Sequence, residues 1–146
     1  MTYSRSLGQY KKTHIETAGR LDLVLMCYEK AIEMIWQAKK LFDEKQFEEK
    51  AKRLQKAIDI IHQLQGSLNF EKGGQIAKNL DSLYTYIAGR LLEGDVNKNM
   101  AACDQVIGIL GELRDAWQAL ASRQTADGVQ MTVAQGPKTD YQQIAA

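Results

Sequence analysis

The chain has 146 residues, 45% of them apolar, a single proline and a formal net charge of +1. That length supports one domain with its own core, without help from a metal or a disulfide. The near-zero charge leaves no strong field for a polyanion, so no nucleic-acid partner is expected.

Residues Met1 to Gly19 carry isolated apolar points at Leu7, Tyr10 and Ile15 among polar and basic residues. We read residues 1–20 as an N-terminal arm able to lie over an apolar groove. Thr17 is the candidate cap of the first long helix. The opening MTYSRSLGQYKK lacks the continuous apolar run of a secretory signal, so a cytoplasmic location is expected.

Leu21 to Phe42 is the most apolar stretch. Leu21, Val24, Tyr28, Ala31, Ile35, Ala38 and Phe42 step by threes and fours, the seam of a helix packed along its length. Leu23, Met26, Cys27, Met34 and Leu41 lie off that seam, and Leu25, Ile32 and Trp36 lie to its other side. This surface is wider than one neighbour covers, as expected of a central helix or one with a face reserved for a partner. The charges from Asp22 to Lys40 exclude a simple membrane span.

Phe47, Ala51, Leu54, Ile58, Ile61 and Leu68 mark a second helix, with Glu48, Glu49, Lys52, Arg53, Lys56, Asp59 and Gln63 on its solvent face. Gly73-Gly74 reads as the close of the next connection. Ile76, Leu80, Leu83, Ile87 and Leu91 then define a third helix, with Tyr84 and Tyr86 as aromatic surface and Gly94 as its C-terminal glycine.

A fourth helix is predicted from about Asn97, with Met100, Cys103, Val106, Ile107, Leu110, Leu113, Trp117 and Leu120 as its apolar set. Gly108 and Gly111 lie inside it, each unfavourable by about 1 kcal/mol relative to alanine unless a backbone approaches closely. They imply either a tight crossing or a shallow groove for a bound helix. From Thr125 the periodicity fails, and residues 125–146 read as a disordered tail. The fold expected is all-α: an antiparallel up-and-down four-helix bundle over residues 21–124, with a short N-terminal arm or extra helix.

Catalytic chemistry finds no foothold. A di-metal bundle needs Glu-x-x-His steps on two helices, and Asp59 to His62 approximates one only once. Cys27 and Cys103 read as buried free thiols, and neither metal nor other cofactor is expected. His62-Gln63-Leu64-Gln65-Gly66-Ser67 resembles the His-x-x-Lys-Gly-Ser signature of histidine phosphotransfer domains, also four-helix bundles. The lysine position is the uncharged Gln65, and phosphotransfer through His62 is the alternative reading.

Read together, Tyr10 with Thr17-Ala18, LVLMCYEKAI from Leu23, KAIDIIHQLQGSLNFEKGGQIAKNLDSLYTYI from Lys56 and LRDAW from Leu113 resemble the bacterial flagellin-specific export chaperones, the FliS family. The resemblance covers about Leu7 to Ser122. The block Glu71-Lys72-Gly73-Gly74-x-Ile76-Ala77-x-Asn79-Leu80 is its most specific part. Gly19-Arg20 replaces the family's Ser-Pro, Glu29-Lys30 its frequent Asp-Gly, and Cys27 its leucine. The resemblance implies a non-enzymatic bundle that binds the disordered C-terminal segment of flagellin, blocks premature polymerisation and delivers its cargo to the flagellar export gate. The expected groove residues are Leu7, Tyr10, Ile61, Leu68, Ile76, Leu80, Tyr84, Val106, Ile109 and Leu113, with Leu7 and Tyr10 of the arm displaced by cargo.

Overall fold

A computed structural model describes residues 19–127, with side chains described through Arg123. Helix α1 spans Arg20–Asp43, within one residue of the predicted stretch at each end. Its seam from Leu21 to Ala38 is buried as the spacing requires, and Ile32 and Met34 are buried beside it. Burying each such large aliphatic side chain contributes roughly 1.5–3 kcal/mol. Of the off-seam residues, Leu23, Met26 and Trp36 remain exposed. Thr17 lies outside the described residues.

Helix α2 spans Phe47–Gly66 and α3 spans Phe70–Val96. Leu68, assigned to the second helix from its spacing, sits in the connection, because α2 stops with Ser67 as its C-cap. Helix α4 runs Met100–Asp127, three residues into the stretch expected to be tail. Its start is later than predicted: Asn99 accepts the backbone N–H groups of Ala101, through its side chain, and of Ala102, through its carbonyl.

Both Gly-based boundary expectations need correction. Asn69 caps α3 by accepting from the Lys72 N–H at 3.0 Å, so one helical turn forms before the Gly-Gly pair. Gly74 then departs from helical geometry at φ 52°, ψ −128°, kinking the helix inside its bounds. Gly94 does not end α3. It is buried one turn earlier, where an added Cβ would meet the Asn99 carbonyl oxygen at 3.1 Å and Cys103 Sγ at 3.2 Å. Lys98 (φ 53°) takes the left-handed position instead, and the Asn99 N–H closes onto the Gly94 carbonyl. Helix α1 ends likewise: Lys45 (φ 60°) donates to Phe42 O and Gln46 donates to Leu41 O. Both ends are Schellman motifs with lysine where glycine is usual.

Helix α1 packs against α2 and α4, and α3 packs against the same two, which gives a ring in chain order. Side-chain pairs set the directions. Lys50 at the start of α2 meets Asp95 at the end of α3, and Gln65 near the end of α2 meets Asp81 and Thr85 of α3. Lys39, late in α1, pairs with Asp104, early in α4. The described residues therefore form an all-α, antiparallel up-and-down four-helix bundle. Its core joins the α1 seam to Leu54, Ala57, Ile58, Ile61, Leu64, Ala77, Leu80, Tyr84, Ile87, Leu91, Cys103, Val106, Leu110 and Trp117.

One buried cation escaped the sequence reading. Lys50 is 2% exposed; its ammonium lies 2.8 Å from the Asp95 carboxylate and 3.1 Å from the Asp95 carbonyl oxygen, near the Phe42 and Phe47 rings. The pair ties the first turn of α2 to the last of α3. Cys103 is buried and Cys27 only partly so. Both are free, and desolvation pushes both thiols up, away from the reactive thiolate.

Candidate functional site

Just past Gly74, α3 lies beside the C-terminal half of α4. Ile76 and Leu80 from α3 and Leu113, Ala116, Trp117 and Leu120 from α4 line an open apolar cleft of about 140 Å³. The α4 contribution follows from helical spacing, because positions 113, 116, 117 and 120 share one face. A cavity of ~150 Å³ accommodates a benzene-sized group. The cleft therefore holds one large apolar side chain, and its open side admits the backbone that carries it.

Its floor is held by a polar chain through the core. The Tyr28 and Tyr84 hydroxyls are 2.6 Å apart, and Trp117 hydrogen-bonds to Tyr28. The indole N–H can only donate, so the Tyr28 oxygen accepts from it. Trp117 thereby has one side in the cleft and its polar edge fixed in the bundle. Burial pushes both phenols up, Tyr84 to about 12, so both are neutral through the physiological range.

Of the residues expected to form a groove, the structure brings Ile76, Leu80 and Leu113 together. Ile61, Tyr84 and Val106 are instead buried to within 2% in the core and offer no accessible face, since their seam positions point to the bundle axis. Leu68 and Ile109 are partly buried against the core and do not line the cleft. Leu7 and Tyr10 lie outside the described residues. Ala116, Trp117 and Leu120 were missed as site residues; their common face with Leu113 was the signal that could have found them.

Neither Gly108 nor Gly111 marks a tight crossing. An added Cβ at Gly108 meets nothing within 4 Å, and at Gly111 only Arg114 Nη2 at 3.9 Å. His62 is exposed on α2, while Asp59 accepts from Gln55 at 2.9 Å. Gln65, at the position of the phosphotransfer lysine, directs its amide to Asp81 and Thr85 of α3. Among the described residues, no group of three or more His, Cys, Asp or Glu could hold a metal ion, and no helix is long and apolar enough to cross a membrane.

Fold and cleft define a class: a helical bundle with a side-chain-sized apolar cleft between its last two helices. The sequence places it further. The signature of the family described as flagellar protein FliS matches residues 3–124, and the chain belongs to that family. It is 34% identical over 119 residues to the flagellar secretion chaperone FliS of Vibrio cholerae, covering 79% of this chain and 88% of that one. It is 31% identical over 121 residues to FliSB of Pseudomonas aeruginosa, covering 80% and 96%. The FliS of Bacillus subtilis is 28% identical over 114 residues, covering 77% and 84%.

Proposed function

We propose that this protein is a flagellin export chaperone that acts by binding alone. Its cargo is the C-terminal segment of flagellin. That segment is disordered before assembly and folds as an amphipathic helix against the bundle, with one large apolar residue in the cleft between α3 and α4. Covering the segment in the bacterial cytosol prevents premature polymerisation and keeps the chain unfolded until it reaches the flagellar export gate.

The observation that carries this reading is the apolar lining of the cleft, formed by Ile76, Leu80, Leu113, Ala116, Trp117 and Leu120, on a bundle whose curated relatives are flagellar secretion chaperones. A ligand that folds as it binds must offset its ordering entropy with apolar contact. A groove between two helices is the usual receptor for one face of a bound helix. The exposed Leu23, Met26 and Trp36 of α1 add apolar surface for a longer wrap.

The direct test is co-purification with the flagellin of the same organism, intact and lacking its C-terminal segment. Retention of the intact chain and loss of the truncated one is the expected result. Equal retention of both would overturn the choice of segment.

A further inference from the structure

We propose that the outer face of α3, centred on Gly89, pairs two copies of this chain as a weak, two-fold symmetric dimer. From Ser82 to Val96 the exposed residues of α3 are Ser82, Thr85, Tyr86, Gly89, Leu92, Glu93 and Val96, and helical spacing places them on one face. Glu93 is the one charge among them, and Arg90 neutralises it at 2.9 Å. The outer faces of the first two helices differ: α1 exposes Asp22, Glu29, Lys30, Glu33 and Lys40, and α2 exposes Glu48, Lys52, Lys56 and Asp59.

The α3 face is also apolar. Leu92 and Val96 are 54% and 70% exposed, one turn apart, and Tyr86 is close to half-exposed. Gly89 lies between Tyr86 and Leu92, where an added Cβ meets nothing within 4 Å, so the α3 backbone is open to close approach. A glycine inside a helix is disfavoured unless something uses its missing side chain, and no described residue does.

A second copy fits this face better than a charged partner does. In an antiparallel pair with its two-fold beside Gly89, each residue meets one about as far on the other side of Gly89. Leu92 then packs on the second copy's Thr85, and Val96 on the second copy's Ser82. On the edge toward α4, Glu93 meets the second copy's Tyr86, whose hydroxyl accepts from Gln105 and keeps its own proton to donate. No like charges meet. The same operation about Gly108, the open glycine on the outer face of α4, sets Asp104 against the second copy's Glu112, so repulsion rules that face out.

The strip from Ser82 to Val96 is about 21 Å long and about 10 Å wide, which falls short of the ~800 Å² per partner of a standard stable interface. The dimer is therefore expected at high micromolar concentration. None of the cleft residues belongs to this face, so the inference does not depend on the cargo reading.

The test is sedimentation equilibrium of the full chain from about 1 µM to about 1 mM, alongside Gly89→Glu and Gly108→Glu. Glutamate favours a helix more than glycine does, and neither glycine has a neighbour to clash with, so both variants should fold. The parent should dimerise reversibly, Gly89→Glu should weaken the dimer about tenfold or more, and Gly108→Glu should leave it unchanged. An equal mixture of Gly89→Glu and Gly89→Lys should restore it, because position 89 faces its own copy across the two-fold. A parent that stays monomeric throughout, or a dimer that Gly89→Glu leaves intact, would overturn the proposal. Equal weakening by the two glutamate variants, or a mixture that associates no better than Gly89→Glu alone, would overturn it too.

Discussion

The Tyr28 hydroxyl meets the Tyr84 hydroxyl at 2.6 Å across the bundle, joining α1 to the helix diagonally opposite, with Trp117 of α4 bonded to the same Tyr28 oxygen. Tyr28 is therefore the centre of the chain and Tyr84 its end. Replacing Tyr28 by Phe withdraws a partner from two buried groups, whereas Tyr84→Phe withdraws one. Each buried polar group deprived of its partner costs about 1–3 kcal/mol. Urea unfolding should rank Tyr28→Phe as more destabilising, and the double variant should lose less than the sum of the singles. Additive losses would show that the three groups do not act as a unit.

The same pair predicts alkaline sensitivity. Both phenols have folded-state values above their usual value of 10. The stability they confer is thus present in full below pH 10 and is lost as pH rises, for Tyr84 between 10 and about 12. The midpoint of urea unfolding should fall through that window in the parent and fall less in Tyr84→Phe.

At the opposite end, Lys50 and Asp95 form a pair whose members are not equivalent. Asp95→Ala strands a buried ammonium with only the backbone carbonyl as partner, a loss of roughly 3 kcal/mol. Lys50→Met keeps the stem volume and leaves a carboxylate that is one-quarter exposed, so it should change stability by less than ~1 kcal/mol. Thermal unfolding of the two variants checks the asymmetry.

Lys45 holds a left-handed backbone at the α1 terminus, where a side chain is disfavoured by about 1–2 kcal/mol. Lys45→Gly should raise stability by about 0.5–1 kcal/mol after the entropic penalty of glycine. The gain at Lys98 should be smaller, because its ammonium lies 4.2 Å from the Phe47 ring centroid and that contact would be lost. Guanidinium unfolding of both variants tests the ranking.

If flagellin places an apolar anchor between α3 and α4, Leu113→Asp should weaken binding of its C-terminal peptide at least tenfold, the ~1.5–3 kcal/mol of one buried large side chain. Met26→Asp, on an exposed position of α1 outside the cleft, should weaken it less. Calorimetry with circular dichroism of each variant separates lost binding from lost folding.

The sequence by itself determined the four helices, their chain order and the core face of α1, because threefold and fourfold apolar spacing directly reports which side of a helix leaves water. Only the tertiary structure decided which apolar residues remain open. Ile61, Val106 and Tyr84 have the same apolar pattern as Ile76 and Leu113, yet the first three point to the bundle axis while the last two face a gap. That gap lies between α4 and the part of α3 just past the Gly74 kink, a relation between two helices that the periodicity of one cannot encode. Lys50 was hidden for a similar reason: its ammonium is satisfied by Asp95, 45 residues along the chain. The glycines misled where their role was spatial, since Gly94 makes room for α4 and Lys98 makes the turn.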